Sequence, residues 1–468
     1  MIKALKKTFE RLYYPIPNSR NIMNTVDTIC AICTGTGGAI SIIRISGTDA
    51  LRTGAAIWQG RRELGRPTAR QMLFGNSAGD PALAVYMPAP NSYTGDDVVE
   101  IHCHGGALAA RRVLDAALTN GARLAEPGEF TLHAFLNEKL DLVQAEAVGD
   151  IISAHSQMAL NLAERQIAGR LSEKVSAMRG ELVQLLAEVE SRLDFGDEHL
   201  DWMPPDDIVL RLGDVLARGQ ELAATFDAGI ILREGIRVVL AGRPNAGKSS
   251  LLNLLLGQDR AIVSQIPGTT RDTIEESAHL RGIPVRLTDT AGIRHADDYV
   301  ERLGIDRSRS SIGTAQVVIW LLDASTAAPE AEVLEMQAAC ARPDRVIAAW
   351  NKIDLAGDRS LPQTEVATVR ISVTENFGID ELLDLFEKMV WGKAHAEEPE
   401  VAVNARHQRL LKEASDALAE AIPHTADERW ELAAAALRQG ITALGGITGE
   451  TVDPDILENI FSKFCIGK

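Results

Sequence analysis

The chain has 468 residues, enough for about three domains with cores of their own, and its 46% hydrophobic and 24% charged residues are those of a soluble globular protein. A formal net charge of −17 excludes tight non-specific nucleic-acid binding by the chain as a whole, since phosphate neutralisation supplies most of that affinity, but it leaves room for a local basic patch. No apolar run reaches the roughly 18 residues of a membrane helix, and five scattered cysteines, Cys30, Cys33, Cys103, Cys340 and Cys465, suit a reducing, cytoplasmic setting better than a disulfide framework.

Residues 1–22 carry Lys3, Lys6, Lys7, Arg11 and Arg20 against one acid, Glu10, with Pro15 and Pro17 breaking any pattern. They read as an exposed, disordered extension, less rich in Arg and Ser than a presequence, with Met23 opening the folded chain. Over 23–141, strand-like runs at 39–45, 83–87 and 98–103 alternate with a helical pattern at 107–118, which predicts an α+β domain. Cys30-x-x-Cys33 lacks the second pair of a zinc site, so buried thiols are favoured. His102 and His104 alternate along a strand and share a face; a metal pair and ordinary hydrogen-bonded histidines are both open, the second favoured because no third ligand stands at a helpful spacing. Polar punctuation follows in Pro90 to Asp97, in Pro127-Gly128-Glu129-Phe130 and in Phe135 to Asp141.

From 142 to 232 apolar residues recur at helical spacing, as in Leu171, Val175, Met178, Leu182, Leu186, Val189 and Leu193. A strand-like run at 236–240 then leads into Gly242-Arg243-Pro244-Asn245-Ala246-Gly247-Lys248-Ser249, which fits G-x-x-x-x-G-K-[ST]. In that motif successive backbone N–H groups cradle phosphates, Lys248 reaches the β and γ oxygens, and the Ser249 hydroxyl completes a Mg²⁺ shell at the positive end of a helix expected at 249–256.

Downstream lie Gly268-Thr269-Thr270-Arg271-Asp272, whose threonines suit Mg²⁺ and the γ-phosphate, and Asp289-Thr290-Ala291-Gly292, whose Asp follows the apolar run 285–287. Buried-strand patterns at 317–322 and 346–350 precede Asn351-Lys352-Ile353-Asp354. A fixed carboxylate there accepts from guanine's ring N–H and 2-amino group together, a donor pair adenine lacks, so GTP is preferred over ATP. Ser372-Val373-Thr374, after a short strand at 367–371, departs from the usual Ser-Ala. Singly each motif is an ordinary turn or strand end; four in order mark a GTP-binding domain over 233–392.

An acidic linker at 397–400 leads to further helical patterning with Leu410, Leu411, Leu418, Leu432, Leu437, Ile441 and Leu444. Residues 142–232 and 393–468 each need a partner surface, and packing on each other would make one helical domain with the GTPase inserted between its halves. The expected fold is therefore multidomain α/β: an N-terminal α+β domain, a helical domain and an inserted Ras-like P-loop GTPase domain.

The punctuating segments, the inserted GTPase and the terminal Phe464-Cys465-Ile466-Gly467-Lys468 together closely resemble the tRNA modification GTPase MnmE family, also called TrmE, over about residues 24–468. The resemblance implies a homodimer that, with the flavoprotein MnmG and without a membrane, modifies the wobble uridine of certain tRNAs at carbon 5, using GTP, Mg²⁺, K⁺ and a one-carbon unit on 5,10-methylene- or 5-formyl-tetrahydrofolate. It makes 23–141 the folate-binding and dimerisation domain.

With the motifs, it gives a GTP-binding set of Asn245, Ala246, Gly247, Lys248, Ser249, Ser250, Ser264, Gln265, Ile266, Pro267, Gly268, Thr269, Thr270, Asp289, Thr290, Ala291, Gly292, Asn351, Lys352 and Asp354. Ser249 and Thr270 would hold magnesium. Asn245, Ser264, Ile266 and Thr269 would hold potassium. Ile293 stands where Ras-like enzymes keep a water-orienting glutamine, so catalysis must come from elsewhere. The family's catalytic glutamate aligns with Glu301, which by itself reads as a solvated helix charge beside Arg302, and Lys248 is its catalytic companion. Folate contacts fall on Arg44, Glu100, Lys139 and Lys468. One departure is Ile32-Cys33-Thr34-Gly35-Thr36-Gly37-Gly38, which replaces the family's Thr-Pro-Pro-Gly-Arg-Gly-Gly and loses a positive charge. Cys465 stays open between a reactive thiol near that pocket and a positioning role. The other function class is a GTP-dependent switch for ribosome or RNA assembly without one-carbon chemistry, and the folate-pocket residues discriminate the two.

Overall fold

The computed structural model describes residues 27–35, 37–154, 156–195, 201–258, 275–289, 312–340, 342–357, 360–392 and 399–468. The chain forms two compact units. One comprises residues up to Gly149, Glu164–Ala223 and Ala405–Lys468; the other comprises Asp150–Ala163 and Ala224–Asn404.

The first unit opens with seven strands, β1 (Ile29–Ile32), β2 (Ile40–Ser46), β3 (Trp58–Gly60), β4 (Leu73–Ser77), β5 (Asp80–Met87), β6 (Val98–His104) and β7 (Arg123–Leu124), in the order β3-β4-β5-β6-β2-β1-β7. All pairings are antiparallel except β1 with β7. Period-2 alternation sends Ile43, Ile45, Ala84, Val99, Ile101 and Cys103 to one face, where Ala50–Ile57 and Ala107–Thr119 cover them. Arg44, Glu100 and His102 take the intervening positions and share the other face. Burial pushes the Cys30 thiol up to about 12, so it is an inert core group.

The helical part of this unit packs Arg170–Asp194 and Ala405–Ala426 against Trp430–Thr448, whose Gly440, Gly445 and Gly446 and run of buried alanines permit close approach. Pro205–Ala224 is tied to the first helix through Arg218 and Glu181.

Where Leu142–Ser153 meets Ala405–Ala426, three groups converge. Arg406 forks onto Glu146 at 2.8 and 3.0 Å and also donates to the carbonyls of Gly446 and Ile447, and His407 Nε2 lies 2.8 Å from Glu146. Burial alone would raise the Glu146 carboxyl, but His407 and Arg406 outweigh it and hold it well below the usual carboxylate range. A depressed folded value means stability that is present above the ordinary value of 4.5 and lost as pH falls below it. Arg406→Met is expected to cost about 3 kcal/mol near neutral pH by stranding a buried charge, and less as pH falls below 4.5. Urea midpoints at pH 7 and at acid pH measure this; an equal loss at both would show that packing, not charge, is what Arg406 contributes.

The second unit is built on β8 (Ile236–Gly242), β9 (Glu275–Leu280), β10 (Ile283–Asp289), β11 (Val317–Asp323), β12 (Val346–Asn351) and β13 (Ala367–Arg370), in the order β13-β12-β11-β8-β10-β9, all parallel except the β9–β10 hairpin. Val238, Leu240, Ile319, Leu321 and Ile347 fill the core on one face; Val239, Val318, Trp320, Leu322 and Trp350 fill the other. This two-sided burial is why β11 reads as an unbroken apolar run. Leu162, Leu232 and Ala402 form a smaller core with Met158 and Trp391, so the helix end at 150–153 and the helical residues 157–163 and 226–232 group with the nucleotide-binding sheet.

Candidate functional site

The segment after β8 is shaped by three residues in the left-handed region, Gly242 (φ 128°), Asn245 (φ 64°) and Gly247 (φ 103°). Lys248 opens the helix Lys248–Gln258, two residues longer than the expected 249–256 at its far end, and its buried Nζ donates to the carbonyls of Gly242 at 2.9 Å and Arg243 at 2.8 Å. The ammonium thus sits inside the ring of backbone that would cradle phosphates. Ser249 and Ser250 are exposed in the first turn of that helix.

Asn351, the last residue of β12, is spent on structure. Its Nδ2 donates to the Ala246 carbonyl at 2.8 Å and its Oδ1 accepts from Val373 N–H at 3.2 Å, joining the phosphate loop to the Ser372-Val373 segment. A Cβ on Gly247 would fall 2.2 Å from Asn351 Nδ2, so only glycine fits. Lys352 is also left-handed (φ 62°) and reaches Asp323 Oδ2 at 2.6 Å. Burial raises the Asp323 carboxyl, but hydrogen bonds from Lys352 and Ser325 outweigh it and keep it below the usual range. Asp354 is exposed in the short helix Ile353–Ala356, and among the described residues its carboxylate has no hydrogen-bond partner. Asn245 is exposed at the loop's tip, its amide likewise unpartnered.

Asp289 ends β10, beside β8. Ser264, Gln265, Ile266, Pro267, Gly268, Thr269, Thr270, Thr290, Ala291, Gly292 and Glu301 lie outside the described residues.

Sequence reasoning did not find the ties that hold these parts. Arg243 pairs with Glu335 at 2.6 Å and approaches the buried Glu332, which accepts from the Asp323 N–H at 2.8 Å. Asp323 stands at the carboxyl end of a parallel strand, which is the one signal that could have singled it out.

In the first unit, Arg44 on β2 is registered opposite Glu100 on β6 and bonds it at 2.8 Å, both largely buried. Its guanidinium lies 5.3 Å from the Tyr93 ring centre and 5.5 Å from that of Phe130. His102 Nε2 is 3.6 Å from Glu100; His104 instead pairs with Asp80 at 2.9 Å.

The C-terminal pentapeptide docks here. Ile466 bridges Pro127, the Lys468 carbonyl accepts from Phe130 N–H at 3.2 Å, and a Cβ on Gly467 would fall 2.6 Å from the Ile32 carbonyl. Burial pushes the Cys33 thiol up, Arg44 and Lys468 pull it down and Glu100 reinforces the rise. Lys139 is exposed and packs by its stem against Gly95, in the loop that carries Tyr93. Cys465 is exposed. Tyr93 and Phe130 were visible only as punctuation, because nothing in the sequence brings them to Arg44.

Ligands of open α/β sheets meet the carboxyl ends of the strands, and here the phosphate loop and the Asn-Lys-x-Asp motif stand at the ends of β8 and β12 with one side chain joining them; the second unit is a P-loop GTPase domain. Across the chain, the family model described as MnmE helical domain matches residues 142–465 and that described as GTP-binding protein TrmE N-terminus matches residues 28–139. The tRNA modification GTPase MnmE of Synechococcus sp. (strain JA-3-3Ab) is 43% identical over 460 residues, 94% of this chain and 98% of that protein. The protein of the same name from Geobacter metallireducens is 44% identical over 455 residues, 94% of this chain and 99% of its own. Among solved structures, the G domain of the T. maritima FeoB iron transporter is 27% identical over 33% of this chain and 96% of its own, with a TM-score of 0.25. The chain belongs to the tRNA modification GTPase MnmE family and is a GTP hydrolase of tRNA modification. Among the described residues no helix is long and apolar enough to cross a membrane.

Proposed function

We propose that this GTPase works as a homodimer with the flavoprotein MnmG, modifying the wobble uridine of certain tRNAs at carbon 5 (carboxymethylaminomethyl-type) with a tetrahydrofolate one-carbon unit, and that K⁺ stimulates its GTP hydrolysis. In this reading 23–141 is the folate-binding and dimerisation domain, and 233–392 is the GTPase inserted between helical stretches 142–232 and 393–468. The observation that carries the folate part is the Arg44–Glu100 pair walled by Tyr93 and Phe130, with the chain's C-terminus docked against Phe130.

The residues present fit a folate. A pterin edge rich in N–H donors suits the Glu100 carboxylate that Arg44 holds in place, the two rings offer flat apolar surface, and Lys139 and Lys468 supply charge for a carboxylate tail. When bound, the folate supplies the one-carbon unit. Glu100 orients the ring, His102 and Arg44 together keep that carboxylate ionised against its burial, and the docked C-terminus restricts access of water.

At the nucleotide, the loop amides and Lys248 hold the β and γ oxygens, and Asp354 takes the guanine edge. Ser249 and Thr270 are the residues that fit Mg²⁺, a hard ion served by hydroxyl oxygen, with the Asp289 carboxylate acting on it from behind the ligands. The amide of Asn245, which has no partner among the described residues, fits K⁺, with Ser264, Ile266 and Thr269 as the remaining ligands. Glu301 orients the attacking water in place of the missing glutamine.

Glu100→Gln is expected to weaken binding of 5-formyl-tetrahydrofolate about 100-fold, since a carboxylate accepting two donors is replaced by a group that can accept only one. Wobble modification falls with it while GTP turnover without tRNA stays at the wild-type rate. Calorimetry and a GTPase assay on the same preparation measure both. Unchanged folate affinity would remove the pocket assignment and favour the GTP switch without one-carbon chemistry.

A further inference from the structure

The connection from β3 to β4 reads Arg61-Arg62-Glu63-Leu64-Gly65-Arg66-Pro67-Thr68-Ala69-Arg70-Gln71-Met72, with four arginines and one acid in a chain whose net charge is −17. It is a built segment. Leu64 and Thr68 are buried beneath it, Trp58 Nε1 donates to the Arg62 carbonyl at 3.1 Å, and Thr68 Oγ1 donates to the Glu63 carbonyl at 2.8 Å while accepting from Gly65 N–H. Arg70 N–H is pinned to the Tyr86 carbonyl at 2.8 Å.

The arginines between these anchors are exposed. Arg61, Arg62 and Arg66 form no ion pair among the described residues, and the Arg70 guanidinium donates to the backbone carbonyl of Asn91. Elsewhere on the same sheet domain every described arginine except the single Arg112 is paired with a carboxylate: Arg44 has Glu100, Arg52 has Asp49, Arg111 has Asp115, and Arg123 has Asp27 and Glu129. The contrast marks one stretch of positive charge left uncompensated and held on a rigid frame.

Two large apolar side chains accompany it. Met72 is 50% exposed and Phe74 75% exposed. Gly60 is registered opposite Gly75, so the chain leaves β3 toward Arg61 beside Phe74. Guanidinium groups match phosphate oxygens bidentately, and an exposed aromatic ring is a stacking platform for an unpaired base. An acidic protein would use the charges but has less call for the ring, so the pair of features favours RNA.

We propose that residues 61–72 with Phe74 form the surface on which a tRNA strand docks, Arg61, Arg62 and Arg66 taking backbone phosphates and Phe74 stacking on a splayed base. The proposal rests on the reading that this chain engages tRNA directly. The patch stands at the β3 edge, three strand spacings or about 14 Å from β6, which carries Glu100. A strand anchored there can present a nearby nucleotide to the Arg44–Glu100 pocket. Because the rest of the chain is acidic, the attraction is local and depends on these few charges.

The test is binding of a labelled tRNA transcript with uridine at the wobble position to the full-length protein over a series of KCl concentrations. Replacing Arg61, Arg62 and Arg66 by Gln is expected to lower affinity at least about tenfold and to reduce the slope of log K against log salt by about 2 to 3, since each phosphate contact contributes about 0.7–0.9. The same three positions changed to Lys restore the slope. Phe74→Ala weakens binding and leaves the slope alone. Thermal unfolding, which reports an intact sheet domain, and GTP turnover without tRNA, which reports an intact GTPase domain, match wild type in every variant. A Gln variant with wild-type affinity and slope overturns the proposal. So does a variant that loses binding to polyglutamate while its tRNA curve is unmoved, which identifies an acidic protein as the occupant. If wild-type protein binds no tRNA at low salt, the reading of tRNA as a direct ligand fails, and the patch fails with it.

Discussion

With Mg²⁺ present, exchanging K⁺ for Na⁺ at equal ionic strength is expected to lower GTP turnover by about 100-fold while leaving GTP affinity within about twofold. A positive charge placed against the phosphates in the transition state is worth on the order of 10³–10⁵ when an arginine provides it, and a hydrated smaller cation that fits the cage poorly forfeits much of that. Two features of the chain ask for such a charge. Ile293 follows Asp289-Thr290-Ala291-Gly292 where Ras-like enzymes keep a water-orienting glutamine, and Asn245 sits exposed at the tip of the phosphate loop, left-handed and with an amide that has no partner among the described residues. A cation held there would contribute in the transition state, so kcat is expected to move and Kd is not. Asn245→Ala is expected to bring the K⁺ rate down to the Na⁺ rate without altering binding. Equal rates in both salts would detach Asn245 from catalysis and leave the enzyme to rely on Glu301 and Lys248.

The GTPase domain was legible because its strands and loops carry signals that are local in sequence. β11 and β12 are buried on both faces and read as continuous apolar runs, β8 does so but for Arg237, and β8 and β12 each lead into a motif whose spacing is set by phosphate or guanine geometry. What was not legible depends on tertiary proximity. Asp323, Glu332 and Arg243 each read as an isolated charge, yet together they tie the phosphate loop to the strand ends. Arg44 draws Tyr93 and Phe130 from separate segments, and only the antiparallel register of β2 on β6 sets it opposite Glu100. Helical periodicity shows that a face is buried but not against what, which is why 150–163 and 224–232 could not be grouped with the nucleotide-binding unit from their pattern.

Asp354→Asn is expected to change the nucleotide the enzyme uses. The carboxylate is exposed and unpartnered among the described residues, held by a helix that begins directly after Lys352, whose left-handed backbone and bond to Asp323 fix the turn. A carboxylate accepts from both guanine donors; an amide must turn one N–H toward them, so one acceptor becomes a clashing donor. Sites that lose a matched polar partner in this way discriminate by about 10⁴, so GTP affinity should fall by about 10³ to 10⁴. Xanthosine triphosphate carries a carbonyl where guanine has its amino group, and that oxygen accepts from the new amide. The variant should therefore hydrolyse xanthosine triphosphate at close to the wild-type GTP rate, since the phosphate loop, Lys248 and the cation ligands are untouched. Competition binding with the two nucleotides followed by turnover assays reads both halves of the exchange. If the variant lost GTP without gaining xanthosine triphosphate, Asp354 would be supporting the Ile353–Ala356 turn rather than meeting the base. Asn351→Ala separates the cases: its amide holds the Ala246 carbonyl and Val373 N–H, so its loss should weaken both nucleotides alike.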